Sequence, residues 1–301
     1  NIQCAFYKLA HPDVFVHACL EHFAKEIPPT IESEFDYVTQ YKELMEIGFD
    51  GIKMLEGKPT YHKTIGKNLL HPELMRFYAE VEKDNTHIVF HVNDPETFWD
   101  PNEVSEEHKN IGWFYGDGTF ATYDELYSQA EAVLEAFPNA AIPFAHFYFC
   151  GDTPEKLQAL FDKYPNLCVD ITPGTEMYNS FEAKHDFYRD FFEKNSKRIL
   201  VGTDGTHPLP ARFPIWCMDR LYRFIATSDV VSAFDDKPLT GLALSEEASA
   251  NILYKNFERR VSAQAKPINK DALKAYINKY LPTITAENTL AEINKLIEKY
   301  L

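Results

Sequence analysis

Short apolar runs rich in β-branched and aromatic residues alternate along this chain with segments in which apolar residues recur every three to four positions. That alternation predicts repeated βα units and a parallel sheet. The runs fall at 2–7, 13–19, 50–55, 87–92, 141–147, 167–171 and 198–203. Between them, Phe35, Val38, Leu44 and Met45 lead to Gly48, a C-terminal cap just before the third run. Thr122 with Glu125 forms a capping box, and Leu126, Ala130, Val133, Leu134 and Phe137 then make one apolar face that Pro138 ends. Thr153-Pro154 opens a further helix with Leu157, Leu160 and Phe161 facing inward. Residues 245–260 read as a last barrel helix capped by Ser245.

Seven sequential βα units fit a barrel better than an open dinucleotide-binding sheet. No GxGxxG or GxxxxGK[ST] motif occurs, so a glycine-rich nucleotide cradle is not expected. A length of 301 residues suits one large domain with an appendage. The predicted fold is therefore an α/β, (β/α)8 barrel over 1–265. Beyond Ala265 the composition turns to Lys, Asn, Glu and Leu, which predicts a helical extension over 266–301 broken at Pro282.

Composition narrows the partners. The formal charge is −16, from 46 acidic and 30 basic residues, and no Lys/Arg-rich run offsets it. Such a chain repels nucleic acid and anionic membrane surfaces. No stretch approaches the roughly 18 apolar residues of a membrane span, and the first residues lack a signal-peptide pattern. The five cysteines show no CxxC spacing and lie mostly in apolar stretches, as buried, reduced thiols of a cytoplasmic protein would.

Three runs end on residues that can bind a metal: Ile88-Val-Phe-His91, Ile142-Pro-Phe-Ala-His146 and Ile199-Leu-Val-Gly-Thr-Asp204. A strand closing on His or Asp sets that side chain at the mouth of an α/β fold, where barrel enzymes keep their chemistry. Imidazole and carboxylate suit Zn²⁺ or Mn²⁺, and a metal-bound water is a nucleophile at neutral pH. Each histidine alone also reads as a satisfied core residue. Asp204 is costly to bury without a partner.

Four segments, His91-Val-Asn-Asp-Pro-Glu-Thr-Phe-Trp99-Asp100, Gly48-Phe-Asp-Gly-Ile-Lys53, Ala145-His146-Phe147 and Gly202-Thr-Asp204, together resemble the amidohydrolase superfamily. The branch is the amidohydrolase-2 type of TIM-barrel metal-dependent hydrolases that also holds aminocarboxymuconate-semialdehyde decarboxylase. The resemblance covers about residues 1–260. It implies that His91 binds the metal, that His146 orients water or polarises substrate and can share the ion, and that Asp204 binds metal and shuttles a proton. It also implies that Lys53 grips a substrate carboxylate. The implied cofactor is one divalent cation, zinc first and manganese second. The implied partners are a small-molecule substrate, a carboxylate among the candidates, and a second copy of the chain.

The same resemblance calls for a His-x-His pair on the first strand, and the sequence contains none. The run at 2–7 matches the second strand of the family, so the missing strand would precede Asn1. Secondary candidates come from the loops: Asn93, Asp94, Trp99 and Trp113 after His91, Asp170 with the stretch to Glu176, the group His17, Glu21 and His22, and His207 close to Asp204. Among these, Asn93, Trp99 and Asp170 are expected to contact substrate. The expected reaction is hydrolysis of a small C–N or C–O bond. Non-oxidative decarboxylation of an aromatic or enoic acid and a catalytically silent binding barrel are the alternatives.

Overall fold

A computed structural model describes residues 1–22, 36–174, 177–205, 212–234 and 236–301. Phe35, Glu176 and His207 lie outside these residues. Six strands form one sheet: β1 (His17–Cys19), β2 (Gly51–Gly57), β3 (His87–Val92), β4 (Pro143–Phe144), β5 (Cys168–Asp170) and β6 (Ile199–Leu200). Neighbours in the sheet are neighbours in sequence, and every pair is parallel. That order belongs to a singly wound barrel; a doubly wound sheet reverses direction at a switch point. The sheet curls, because Phe15 before β1 and Leu200 in β6 line one cavity with Phe257.

The first run is not a strand. Residues Ile2–Ala10 form a helix that buries Ile2, Ala5 and Phe6. The spacing of those three is the helical i, i+3, i+4 pattern, which a six-residue apolar run cannot distinguish from a strand by composition. The match of 2–7 to a second barrel strand is thereby removed. The other runs are strands, mostly shorter than expected, and His146 and Asp204 lie just beyond β4 and β6.

Capping follows the sequence closely. Gly48 ends the helix Tyr37–Ile47 at φ 106°. A Cβ there would stand 2.2 Å from the carbonyl oxygen of Pro267, so glycine is required on two counts. Thr122 and Glu125 make both bonds of the capping box, and Ser245 caps Glu246–Ala250. Pro154 opens its helix, while the Thr153 side chain makes no cap bond. The chain beyond Ala265 forms helices Lys270–Tyr280 and Glu287–Tyr300, and Leu273, Ile277 and Ile293 join the main core. Of the five free cysteines, Cys150, Cys168 and Cys217 are buried, but Cys4 and Cys19 are exposed, against expectation. Among the described residues no helix is long and apolar enough to cross a membrane.

His17 and His87, at the starts of β1 and β3, meet with Nε2 of His17 2.8 Å from Nδ1 of His87. Phe257 packs on both rings, and Nε2 of His87 has no hydrogen-bond partner among the described residues. Burial drives the His17 pKa down to about 4, opposed by Asp50 and helped by Lys8, Lys53 and Lys266. His87 moves the same way, also by burial. A folded pKa below the ordinary 6.5 means that the unfolded chain binds more protons. Stability from this pair is complete above about pH 6.5 and is lost as the pH falls toward 4, with His17 worth about 3 kcal/mol. Urea unfolding at pH 7 and pH 4.5 will show that drop, and His17→Gln will flatten it. An equally steep decline in the variant would assign the pH dependence to other groups.

Candidate active site

His91, His146 and Asp204 come from the ends of β3, β4 and β6 and line a single cavity of about 170 Å³. The rings of His91 and His146 lie edge to face with centroids 5.0 Å apart. Three separate strand ends therefore supply the wall, as barrel topology allows.

Each side chain is held by its own local structure. His91 is buried near the end of β3, and its Nε2 lies 3.1 Å from Oδ1 of Asp94. Burial pushes the His91 pKa down to about 3, against the pull of Asp94. For Asp94, burial acts to raise the pKa, but bonds and charge from His91, Lys58 and Tyr115 outweigh it and hold the carboxyl below its usual range. The pair is a neutral imidazole donating from Nε2 to a carboxylate, which leaves Nδ1 as the lone-pair nitrogen.

His146 starts a turn in which residues 146 to 149 all adopt left-handed backbone, φ 50–56°. Such a run of non-glycine residues persists only where its surroundings over-determine it. Here Phe147 packs against Phe181 and Phe192, and Oδ1 of Asp170 accepts from the His146 amide at 3.0 Å. Nδ1 of His146 lies 3.2 Å from the Thr172 carbonyl and donates to it, so Nε2 keeps its lone pair for a ligand. Asp204 is exposed and itself left-handed, φ 47°, a conformation that Asp adopts more readily than most residues.

The remaining residues named from sequence are distributed less simply. Asp170 is buried, and one oxygen serves the amides of His146 and Thr172, so it braces the turn that carries His146. Asn93 is fully buried, donates to the Tyr123 carbonyl, and leaves Oδ1 without a partner among the described residues. Trp99 donates to the Ala121 carbonyl and lines a neighbouring cleft of about 600 Å³ with Tyr123 and Phe149. Trp113 does line the cavity. Lys53, within β2, is absent from the cavity wall; burial lowers its pKa, against the fields of Asp170 and Asp204. His22 stands apart, paired with buried Glu56 at 3.1 Å.

Sequence reasoning missed Lys58 and the wall residues Phe98 and Phe149. Lys58 directly follows β2 and directly precedes the helix Pro59–Ile65, so its place at a strand end was a usable signal. Among the described residues no three His, Cys, Asp or Glu side chains converge as a ready-made metal cage.

No family model matches the chain, and no curated protein matches it. Solved structures do. An uncharacterized TIM-barrel protein of Bordetella bronchiseptica aligns at 16% identity and TM-score 0.50, covering 86% of this chain and 70% of its own. A Staphylococcus aureus protein provisionally assigned as an amidohydrolase aligns at 14% identity and TM-score 0.50, covering 86% and 77%. A 2,6-dihydroxybenzoate decarboxylase solved with 2,6-dihydroxybenzoate aligns at 16% identity and TM-score 0.49, covering 86% and 74%. Together with the singly wound parallel sheet, the first two of these likenesses show that the chain has the TIM-barrel fold.

Proposed function

We propose that this protein is a metal-dependent hydrolase of the amidohydrolase type, activating water to cleave a small C–N or C–O bond. The observation that carries this reading is the meeting of His91, His146 and Asp204, from three strand ends, in one cavity. Two imidazoles and a carboxylate are donors that Zn²⁺ and Mn²⁺ accept. His91, His146 and Asp204 would hold the ion; as the side chains stand, no three of the described ones converge on one point, so binding would draw them together. Such an ion supplies Lewis acidity, lowering the pKa of water or polarising a carbonyl.

The side chains do the rest. His146, fixed through Nδ1 on Thr172, presents Nε2 to the substrate oxygen or to the ion. Asp204 takes the proton of the attacking water on a carboxylate oxygen and returns it to the leaving group. Asp94 holds His91 by its Nε2 proton. Phe98, Trp113 and Phe149 give the cavity apolar aromatic walls suited to a small, flat group.

Those aromatic walls also support the second reading, non-oxidative decarboxylation of an aromatic or enoic acid in the same cavity; release of CO₂ distinguishes it from hydrolysis. Elemental mass spectrometry of the purified protein tests the common core of both. We expect about one zinc or manganese per chain, lost by more than about 100-fold in affinity in His91→Ala, since even outer-sphere partners are worth 10–100-fold. Full metal occupancy in His91→Ala would remove His91 from the ligand set. No bound metal in the parent would leave a binding barrel without this chemistry.

A further inference from the structure

One cation in the cavity wall has no part in the chemistry above. Among the described residues Lys58 is the only lysine or arginine lining the cavity, and its side chain is 14% exposed. Its Nζ lies 3.0 and 3.1 Å from the two oxygens of Asp94. On its other side the indole of Trp113 stands with its centroid 4.6 Å away. Asp94 accepts in addition from Tyr115 at 2.7 Å and from His91, so this carboxylate is saturated without needing all of the lysine. An ammonium has three N–H donors, and Asp94 engages two. The third has no hydrogen-bond acceptor among the described residues.

We propose that Lys58 is the residue that grips the substrate, donating its third N–H to the carboxylate of a small planar acid. The role expected of Lys53 is assigned here to a lysine five positions later, because Lys58 lines the cavity. Asp94 and Trp113 hold the ammonium in place from two directions, so little side-chain entropy remains to be lost on binding. Size agrees: an apolar cavity of about 150 Å³ takes one benzene ring, and this one is about 170 Å³ with Phe98, Trp113 and Phe149 as walls. Asp94 and Asp204 both face the cavity, and a carboxylate enters it only against a fixed cation. The assignment rests on this cavity being the active site and does not need the metal.

Benzoate and its uncharged counterpart benzamide are the probes, titrated calorimetrically into the full chain before and after chelation. Wild type will prefer benzoate with or without chelator. Lys58→Met will lose roughly tenfold to a hundredfold of benzoate affinity, the worth of a charged hydrogen bond, with benzamide unchanged. Lys63→Met, a control on the exposed cation beside Phe120, will bind both as wild type does. Lys58→Met that is folded and binds benzoate as tightly as wild type overturns the proposal, as does a wild type that binds the two probes equally. Should Lys58→Met fail to fold with Asp94 left unpaired, the fluorescence of Trp113 decides. Benzoate will change the emission of wild type and of Lys58→Arg but not of Trp113→Phe, and binding with no change in Trp113 emission overturns it. Metal content, measured on the same samples, keeps this outcome separate from that of the hydrolase reading.

Discussion

Asp204→Asn will abolish metal-supported turnover while leaving the fold intact. The loss expected from removing a positioned proton-transfer group is about 10²- to 10⁴-fold, before any loss of metal is counted. The cost to folding is small for structural reasons. Asp204 is exposed, and Asn tolerates the same left-handed backbone, so the change stays within about 0.5 kcal/mol. Metal content, thermal unfolding and turnover of a panel of small amides and lactones check the three parts separately. An unfolded variant with its metal still bound would make Asp204 a structural residue and end its catalytic assignment.

Lys8→Met will destabilise the protein by about 3–5 kcal/mol, the range seen when one partner of a buried ion pair is removed. Lys8 pairs with Asp50, and both side chains are almost fully buried. Asp50 also accepts from the amides of Val16 at 2.7 Å and Lys266 at 2.8 Å. One carboxylate thus ties together the N-terminal helix, the approach to β1 and the start of the C-terminal segment. Without Lys8 the charge of Asp50 stays buried with only amide dipoles to hold it. Urea denaturation measures the loss, and the double variant Lys8→Met/Asp50→Asn should recover a large part of it, because no unpaired charge remains. A loss below about 1 kcal/mol in Lys8→Met would mean that water reaches Asp50 and screens it.

What the sequence determined by itself were the features written in local pattern. The βα alternation, the strand ends at His91, His146 and Asp204, the capping box of Thr122 and Glu125, and the αL stop at Gly48 all depend on residues within one turn or one strand of each other. Local pattern was silent where two structures share a composition: the run at 2–7 is apolar as a helix or as a strand, and only packing against Tyr300 and the rest of the core selects the helix. Neither could a linear reading rank the lysines within and just after β2. Lys53 and Lys58 differ by five positions, but the side chain that reaches the cavity is decided by Asp94 and Trp113, brought from 36 and 55 residues further along the chain. Asp170 and Trp99 have the right chemistry for substrate, yet the amides of His146 and Thr172 take up one oxygen of the first and the Ala121 carbonyl takes the indole N–H of the second. Which polar group is already satisfied, and which is left to face a ligand, is a property of the folded neighbourhood, because every buried donor and acceptor draws its partner from whatever the tertiary structure sets beside it.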